Sequence, residues 1–249
     1  MEHSVGTPCW ADLMTPDSGK AQAFYAAVLG WDYDVQPEEY GGYAMAKTSG
    51  GNAAGIGKIP PGSEMPSAWT VYLAVDDVEA VLEKWTTGGG QVLNARFEVP
   101  AMGLMAFVAV PSGGAVGLWQ PINHHGFDVI GPPGATCWYE LNTRENEKAR
   151  DFFAEVFGLT PKRMEGMNYY TLHDAERPRF GILQMDESWG ELPPHWMVYF
   201  TVADIHTAAA TVKAEGGTVS HGPFDSPQGP IAVCIDPMGA PFMLITPAT

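Results

Sequence analysis

The sequence repeats itself after about 128 residues, and this repeat constrains the fold more than any other feature. Residues 8–30 match residues 136–158 in the same order, beginning with Cys-Trp in both copies and ending with glycine. A second match links residues 69–77 (WTVYLAVDD) with residues 196–204 (WMVYFTVAD). Matches in the same order at a nearly constant spacing indicate an internal duplication. The 249-residue chain is therefore predicted to hold two tandem copies of one unit.

Glycine and proline cluster where the two copies meet, near residues 122–133, as they do in linkers. We therefore predict a first domain at 1–124, a linker at 125–133 and a second domain at 134–249. Each domain is long enough to bury a core of its own.

Each copy divides again into two similar modules. Trp10 to Thr15 alternates like a strand, Asp17-Ser18 offers a helix N-cap, and Gly30 ends the apolar face of the helix that follows. Short, glycine-rich strand patterns come next, and the order then restarts at residue 69. The sequence predicts the order βαβββ four times, which is an α+β fold. The other three helices are predicted at 78–87, 146–157 and 205–215.

Charge and composition exclude several kinds of partner. The formal charge is −16, which opposes binding to nucleic acid or to anionic membranes. No apolar run approaches the roughly 20 residues that cross a bilayer, and the N-terminus lacks a secretory pattern. The three cysteines form no Cys-x-x-Cys pair. We expect a cytoplasmic protein, and a monomer, because a tandem repeat can pair its modules within one chain.

The module pattern resembles the vicinal oxygen chelate superfamily of glyoxalase I, bleomycin-resistance proteins and extradiol dioxygenases. The resemblance rests on Asp17 followed by Phe24-Tyr25 and Leu29-Gly30, and on the turn Asp236-Pro237-Met238-Gly239 before the last strand. The duplicated Cys-Trp start is similar to tandem actinobacterial glyoxalase-like proteins, which are often labelled hydroxylases. The resemblance implies two curved sheets, each of which encloses a cup.

The metal ligands that the resemblance implies are missing from this sequence. Members that bind metal carry His, Gln or Glu on the first strand of a module and Glu on the last, because a divalent ion needs converging imidazole and carboxylate ligands. The absence of metal ligands is less clear in the third module, since His173, Asp174 and Glu176 lie near a strand. We predict a protein that needs no metal and no other cofactor. In this sequence the positions that correspond to the metal ligands hold Trp10, Thr70, Trp138 and Met197 on first strands, and Gly117 and Met243 on last strands.

Strand alternation indicates which side chains would face each cup. The result is an aromatic and thioether lining with one carboxylate per cup, which suits a flat aromatic or apolar small molecule. The first cup is predicted to be lined by Trp10, Asp12, Met14, Thr70, Tyr72 and Trp119. The second is predicted to be lined by Trp138, Glu140, Asn142, Met197, Tyr199 and Met243. Tyr43 and Met45 are further candidates, with Tyr170 as their approximate counterpart.

Three functions fit this lining. The first is a metal-independent protein that binds an aromatic ligand. The second is a glyoxalase-like enzyme (lyase, isomerase or hydroxylase), which either depends on a metal or uses Asp12 and Glu140 as acid and base. The third is a scaffold in which Trp10 and Trp138 fill the cups as core residues. The two carboxylates could equally serve as hydrogen-bonded structural groups or as anchors for a cationic ligand.

The histidines and cysteines are assigned no chemical role. His124 and His125 lie near the junction of the two copies, and His195 shows no paired ligand spacing, so we interpret all seven histidines as solvated or structural. Cys9 and Cys137 point away from the predicted cups by strand parity and are expected to be small core residues.

Overall fold

The structure is a computed structural model that describes residues 3–38 and 41–248. It confirms the order βαβββ in four successive modules. The first module comprises β1 Pro8–Thr15, α1 Ser18–Leu29, β2 Asp32–Val35, β3 Ala44–Thr48 and β4 Gly51–Lys58. The second comprises β5 Ala68–Ala74, α2 Val78–Thr87, β6 Gln91–Val99, β7 Gly103–Ala109 and β8 Ala115–Pro121. The third comprises β9 Thr136–Thr143, α3 Asn146–Phe157, β10 Thr160–Arg163, β11 Tyr169–Asp174 and β12 Arg177–Gln184. The fourth comprises β13 His195–Thr201, α4 Ile205–Ala214, β14 Thr218–Phe224, β15 Ile231–Ile235 and β16 Pro241–Ile245.

The helices α1, α2 and α4 each begin after an aspartate that caps them, whereas Glu145, before α3, makes no side-chain cap bond. The Asp17 carboxylate accepts a hydrogen bond from the Lys20 amide (3.0 Å), and Asp204 accepts one from Thr207 (2.7 Å). These bonds satisfy amides that the first turn of a helix leaves free. Gly30 ends α1 with φ at 70°, a left-handed conformation that glycine adopts without steric cost.

The sixteen strands form two mixed sheets of eight. Their orders are β2-β3-β4-β1-β5-β8-β7-β6 and β10-β11-β12-β9-β13-β16-β15-β14. Within each module the first strand runs parallel to the last, and the last three strands pair antiparallel. The predicted α+β class is confirmed. Asp12 lies beside Gly55 in the first sheet, and Glu140 lies beside Gly181 in the second.

The chain packs into two compact units, and each draws segments from both copies of the repeat. Unit 1 consists of Met1–Trp10, Thr70–Gly126 and Trp138–Met197. Unit 2 consists of Ala11–Trp69, Phe127–Cys137 and Val198–Thr249.

The core of unit 2 is an aromatic cluster around Tyr25. The ring of Tyr25 stacks on Trp31 and meets Trp69 edge to face, with 5.4 Å between ring centroids in both pairs. Its hydroxyl accepts a hydrogen bond from Trp69 Nε1 (2.9 Å) and donates one to Asp236 Oδ2 (3.3 Å). Asp236 belongs to the Asp-Pro-x-Gly turn, where it also accepts from the amides of Met238 and Ala240. Burial raises the pKa of the Asp236 carboxyl above its ordinary value.

Unit 1 contains an apolar version of this cluster. Phe153 stands at the position of Tyr25 in the repeat, and Trp196 stands at the position of Trp69. The two rings pack at 6.1 Å, and the buried Nε1 of Trp196 has no hydrogen-bond partner. Val110 replaces Asp236 at the start of the matching turn. This cluster therefore has neither the hydroxyl nor the carboxyl.

Most of the predicted linker, from Phe127 onwards, belongs to unit 2. Phe127 is fully buried, and the Asp128 carboxylate accepts a hydrogen bond from the Asn52 amide (3.1 Å). Trp31 Nε1 donates to the carbonyl of Gly134 (2.6 Å). This segment is packed in place. Within the residues described, no helix has the length and apolar character that a membrane span requires.

Candidate functional site

The clearest candidate site lies in unit 1, where three polar or aromatic side chains share one face of β9. Trp138, Glu140 and Asn142 alternate with residues that point the other way, such as Thr143, whose hydroxyl donates to the Ser112 carbonyl (2.7 Å). Glu140 is only 7% exposed, whereas Trp138 is half-buried. We call this set, together with Tyr169, the second-half face.

Tyr169 completes this face, because the hydroxyl end of its ring lies over Gly181. A methyl group at Gly181 would overlap the Tyr169 hydroxyl, so the glycine is what allows the ring to approach the sheet. The hydroxyl accepts from Trp138 Nε1 (2.8 Å) and is hydrogen-bonded to Glu140. Burial, and then the negative charge of Glu140, raises the pKa of Tyr169, so this phenol keeps its proton.

Tyr170 was predicted to line the second cup, and the structure corrects this choice. Its ring lies under the guanidinium of Arg150, 4.8 Å from the ring centroid, and its hydroxyl donates to Glu147 (3.1 Å). Both partners are on α3, so Tyr170 faces the helix side of the sheet. Tyr169 is therefore the counterpart of Tyr43.

Asn142 is held by a histidine on the neighbouring strand. Its Nδ2 lies 3.3 Å from His195 Nε2, while His195 Nδ1 lies 2.8 Å from the Pro193 carbonyl. The Oδ1 atom of Asn142 is buried and has no hydrogen-bond partner in the part of the chain that the structure describes. Burial lowers the pKa of His195, so the ring is neutral at pH 7. His195 was expected to be solvated or structural, and its bond to Asn142 was not predicted.

Met197 and an aromatic ring lie near this pair. Met197 follows His195 on the same face of β13 and is buried. Trp189, in the loop before β13, lies 6.1 Å from the His195 ring. Arg144 holds that loop, because its guanidinium donates to the carbonyls of Asp186, Gly190 and Leu192.

The first copy repeats the carboxylate and tyrosine arrangement in unit 2. The Tyr43 hydroxyl donates to Asp12 Oδ2 (3.2 Å), and its ring covers Gly55, which lies beside Asp12 in the parallel pair. Met14 lies over Gly57 in the same way. The predicted placement of Asp12, Met14 and Tyr43 on one face agrees with these contacts.

The second module places an aromatic row in unit 1. Tyr72 lies over Gly117 and packs against Phe107 (5.9 Å), which in turn packs against Phe97 (6.3 Å). Tyr72 is buried, whereas Phe97 is 37% exposed, so the row leads towards solvent. Phe97 and Phe107 were not among the predicted lining residues. The alternation of β7 places Phe107 on the same face as Met105 and could have identified it.

The rings of Trp10 and Trp119 both pack against His124, which lies near the junction of the two copies. The His124 ring packs edge-on against Trp10 (4.5 Å) and against Trp119 (5.6 Å), and its carbonyl accepts from Trp119 Nε1 (2.8 Å). Trp10 is only 4% exposed, in contrast to the half-buried Trp138. Thr70, predicted beside them, is also half-buried.

The last two predicted lining residues, Tyr199 and Met243, lie in unit 2. They are register partners on the parallel strands β13 and β16, and both are buried. Their positions agree with a shared face, since paired residues on neighbouring strands point the same way.

The side chains present do not fit a divalent metal ion. In residues 3–38 and 41–248, no group of three or more His, Cys, Asp or Glu side chains is placed to hold one. The three candidates of the third module are engaged elsewhere: His173 with Thr171 (2.8 Å), Asp174 with Arg179 (2.9 Å) and Glu176 with Lys162 (2.7 Å). Carboxylate and imidazole ligands must converge, and here they diverge.

The cysteines are held as thiols. Burial raises the pKa of Cys9 and Cys137, and it raises the pKa of Cys234 to about 12. Cys9 Sγ donates to the Tyr72 carbonyl (3.4 Å). None of the three is activated as a nucleophile, because a nucleophilic cysteine needs a lowered pKa.

Comparison with known proteins agrees with this architecture. A profile of the Glyoxalase/Bleomycin resistance protein/Dioxygenase superfamily matches residues 8–118 and 136–244. The chain is 41% identical to the protein named "Putative glyoxylase CFP32" of Mycobacterium tuberculosis, over 99% of this chain and 97% of that protein. It is 32% identical to the anthracycline biosynthesis protein DnrV of Streptomyces peucetius, over 96% of this chain and 93% of that protein.

Two solved structures share the fold at low sequence identity. The Mn(II)-bound glyoxalase from Novosphingobium aromaticivorans has a TM-score of 0.67 at 17% identity, covering 98% of this chain and 82% of that chain. The 2,3-dioxygenase LapB from Pseudomonas sp. KL28 has a TM-score of 0.69 at 15% identity, covering 100% of this chain and 94% of that chain. The chain therefore belongs to the glyoxalase/bleomycin resistance protein/dioxygenase superfamily, as a tandem two-domain member.

Proposed function

We propose that this protein binds a flat aromatic small molecule without a metal ion, and that the second-half face is the principal binding surface. The observation that carries the proposal is the replacement of metal ligands by aromatic and thioether side chains on both sheets. Trp138 and Met197 stand where the superfamily pattern places metal ligands, and Trp138 is hydrogen-bonded to Tyr169.

The partial exposure of Trp138 favours the second copy over the first. Trp10, its counterpart, is covered and packs against His124, which is what a core residue does. Trp138 keeps part of its ring accessible while its Nε1 is fixed by Tyr169. An indole held at a fixed angle is a suitable platform for stacking, because little side-chain freedom remains to be lost on binding.

The relative DnrV supports the chemistry of this ligand. It is named for anthracycline biosynthesis, and anthracyclines contain fused aromatic rings. A fused-ring compound presents a large flat apolar surface, which Trp, Tyr and Met side chains contact well.

Ligand titration followed by tryptophan fluorescence tests the proposal. Tyr169→Phe removes the hydroxyl that fixes Trp138, so the indole has more freedom to lose on binding, and the affinity for naphthalene-sized probes should fall by about fivefold, which is within the cost of immobilising one side chain. Tyr170→Phe is the matched control, because it removes a hydroxyl from the neighbouring residue on the helix side. Equal affinities for the two variants, or no binding by the native protein, would contradict the proposal.

Metal analysis provides an independent test. Protein purified without chelator should contain far less than one equivalent of Zn, Ni, Fe or Mn per chain, and its ligand affinity should be unchanged by EDTA. One bound equivalent that is lost together with binding would refute metal independence.

A second candidate function is acid–base catalysis by Asp12 or Glu140. Each copy places one buried carboxylate against a tyrosine hydroxyl, Asp12 with Tyr43 and Glu140 with Tyr169. A carboxylate in such surroundings can exchange a proton with a bound ligand. Deuterium incorporation from D₂O into a bound aromatic ketone, abolished by Glu140→Gln with affinity retained, would establish this function.

A further inference from the structure

The amide of Asn142 is oriented by its neighbours, and one of its atoms is left without a protein partner. The Pro193 carbonyl can only accept, so His195 Nδ1, 2.8 Å away, must carry the proton of the neutral ring. Nε2 of His195 is then an acceptor, and the Asn142 atom 3.3 Å from it must be the NH₂ group. Oδ1 is consequently the atom that remains.

This oxygen is deeply buried. Asn142 is 1% exposed, and among residues 3–38 and 41–248 no hydrogen-bond donor reaches Oδ1. Most buried polar atoms in folded proteins are paired, and an exception calls for an explanation. Asn142 shares the second-half face with Glu140 and Trp138, so its oxygen belongs to the surface on which the aromatic ligand is proposed to lie.

The first copy lacks this device. Met14 stands at the position of Asn142, and Ala68 stands at the position of His195. The carboxylate and tyrosine arrangement is present in both copies, whereas the amide and imidazole pair is present only in the second. The pair is therefore not needed to form the sheet.

We propose that Asn142 Oδ1 accepts a hydrogen bond from a hydroxyl or N–H group on the ligand, so that the second-half face selects phenols and similar ring donors. His195 acts as a positioning residue, because it holds the amide with its oxygen turned away from the imidazole. This inference rests on the proposed function and adds the class of ligand to it.

Calorimetric titration with two probes of nearly the same shape tests the inference. 2-Naphthol carries a donor, and 2-methoxynaphthalene does not. The native protein should bind 2-naphthol on the order of tenfold more tightly, which is the value of one buried hydrogen bond. Asn142→Leu should lower the affinity for 2-naphthol to that for the methoxy compound, and Tyr170→Phe should preserve the preference.

A second variant separates positioning from a purely structural role. His195→Phe keeps a ring at this position but frees the amide to rotate, so the preference for 2-naphthol should fall while the methoxy compound binds as before. A structural role alone would change the two affinities equally or lower only the melting temperature.

The outcomes distinguish a failure of this inference from a failure of the proposed function. Equal binding of both probes by the native protein overturns the inference, since Oδ1 would then be satisfied by water alone, and it leaves aromatic binding intact. Binding of neither probe overturns the proposed function and the inference together. If Asn142→Leu still prefers 2-naphthol, the hydroxyl of the probe donates to another acceptor, and the role proposed for Asn142 is overturned.

Discussion

Removing the Tyr25 hydroxyl should destabilise unit 2 more than a tyrosine-to-phenylalanine change normally does. The hydroxyl is fully buried and joins Trp69 Nε1 to the Asp236 carboxyl. Tyr25→Phe leaves a buried indole N–H without an acceptor and a buried carboxyl without one of its donors. The ring itself stays in place, so packing against Trp31 and Phe200 is unchanged.

The magnitude follows from the two bonds. A neutral hydrogen bond contributes about 1 kcal/mol, and one to a charged group contributes about 1.5–3 kcal/mol. Tyr25→Phe should therefore lower the free energy of unfolding by roughly 2–4 kcal/mol. Tyr33→Phe is the matched control, because it removes a single half-buried bond to the Gln22 carbonyl and should cost about 1 kcal/mol.

The loss should also depend on pH. Burial raises the folded-state pKa of Asp236 above its unfolded value, so the stability linked to this group is complete below the unfolded pKa and falls as the pH rises through the folded pKa. Without the Tyr25 donor, which lowers that pKa, the folded value rises further. The penalty of Tyr25→Phe should accordingly be larger at about pH 7.5 than at about pH 5.

Urea denaturation followed by tryptophan fluorescence at both pH values measures these quantities. A loss for Tyr25→Phe no larger than that for Tyr33→Phe would refute the energetic argument. A penalty that does not change with pH would refute the assignment to Asp236.

Three further predictions concern unit 1. Gly181→Ala should displace the Tyr169 ring, lower stability by about 1–3 kcal/mol through overpacking and weaken aromatic binding, as measured by urea denaturation and ligand titration. Arg144→Ala should free the loop 186–192 and make it the first site of limited proteolysis, with little change in melting temperature, because its three bonds lie at an exposed position. The preference for 2-naphthol should be present at neutral pH and should disappear as the pH falls through the lowered pKa of His195. The reason is that a protonated Nε2 would attract the amide oxygen of Asn142. The His195→Phe variant should show no such change with pH.

The repeat allowed the fold to be predicted almost completely. Acidic caps such as Asp17 and Asp77 and end signals such as Gly30 mark the helices, and the predicted helices 78–87 and 146–157 have the observed bounds. The strand β2, Asp32–Val35, was not predicted. It is short and largely exposed, so it carries neither an apolar alternation nor a buried run.

The site was predicted less completely, for physical reasons. Trp69 and Trp196 are 127 positions apart, whereas Tyr43 and Tyr169 are 126 apart, so the spacing of that match selects Tyr170 instead of Tyr169 in a strand that begins with two tyrosines. A one-residue error moves a side chain to the other face of the sheet. The bond between Asn142 and His195 spans 53 positions and follows from no local pattern.

The composition of the two units has a consequence for the history of the chain. Each unit joins a module from one copy of the repeat to a module from the other, so an ancestral single copy could have completed its core only against a second molecule. Fusion of the two copies into one chain made that association independent of protein concentration. It also ended the requirement that both cores be identical: Tyr25 and Asp236 could be kept in one unit while Phe153 and Val110 arose in the other. The same freedom accounts for the difference between Asn142 and His195 in one copy and Met14 and Ala68 in the other.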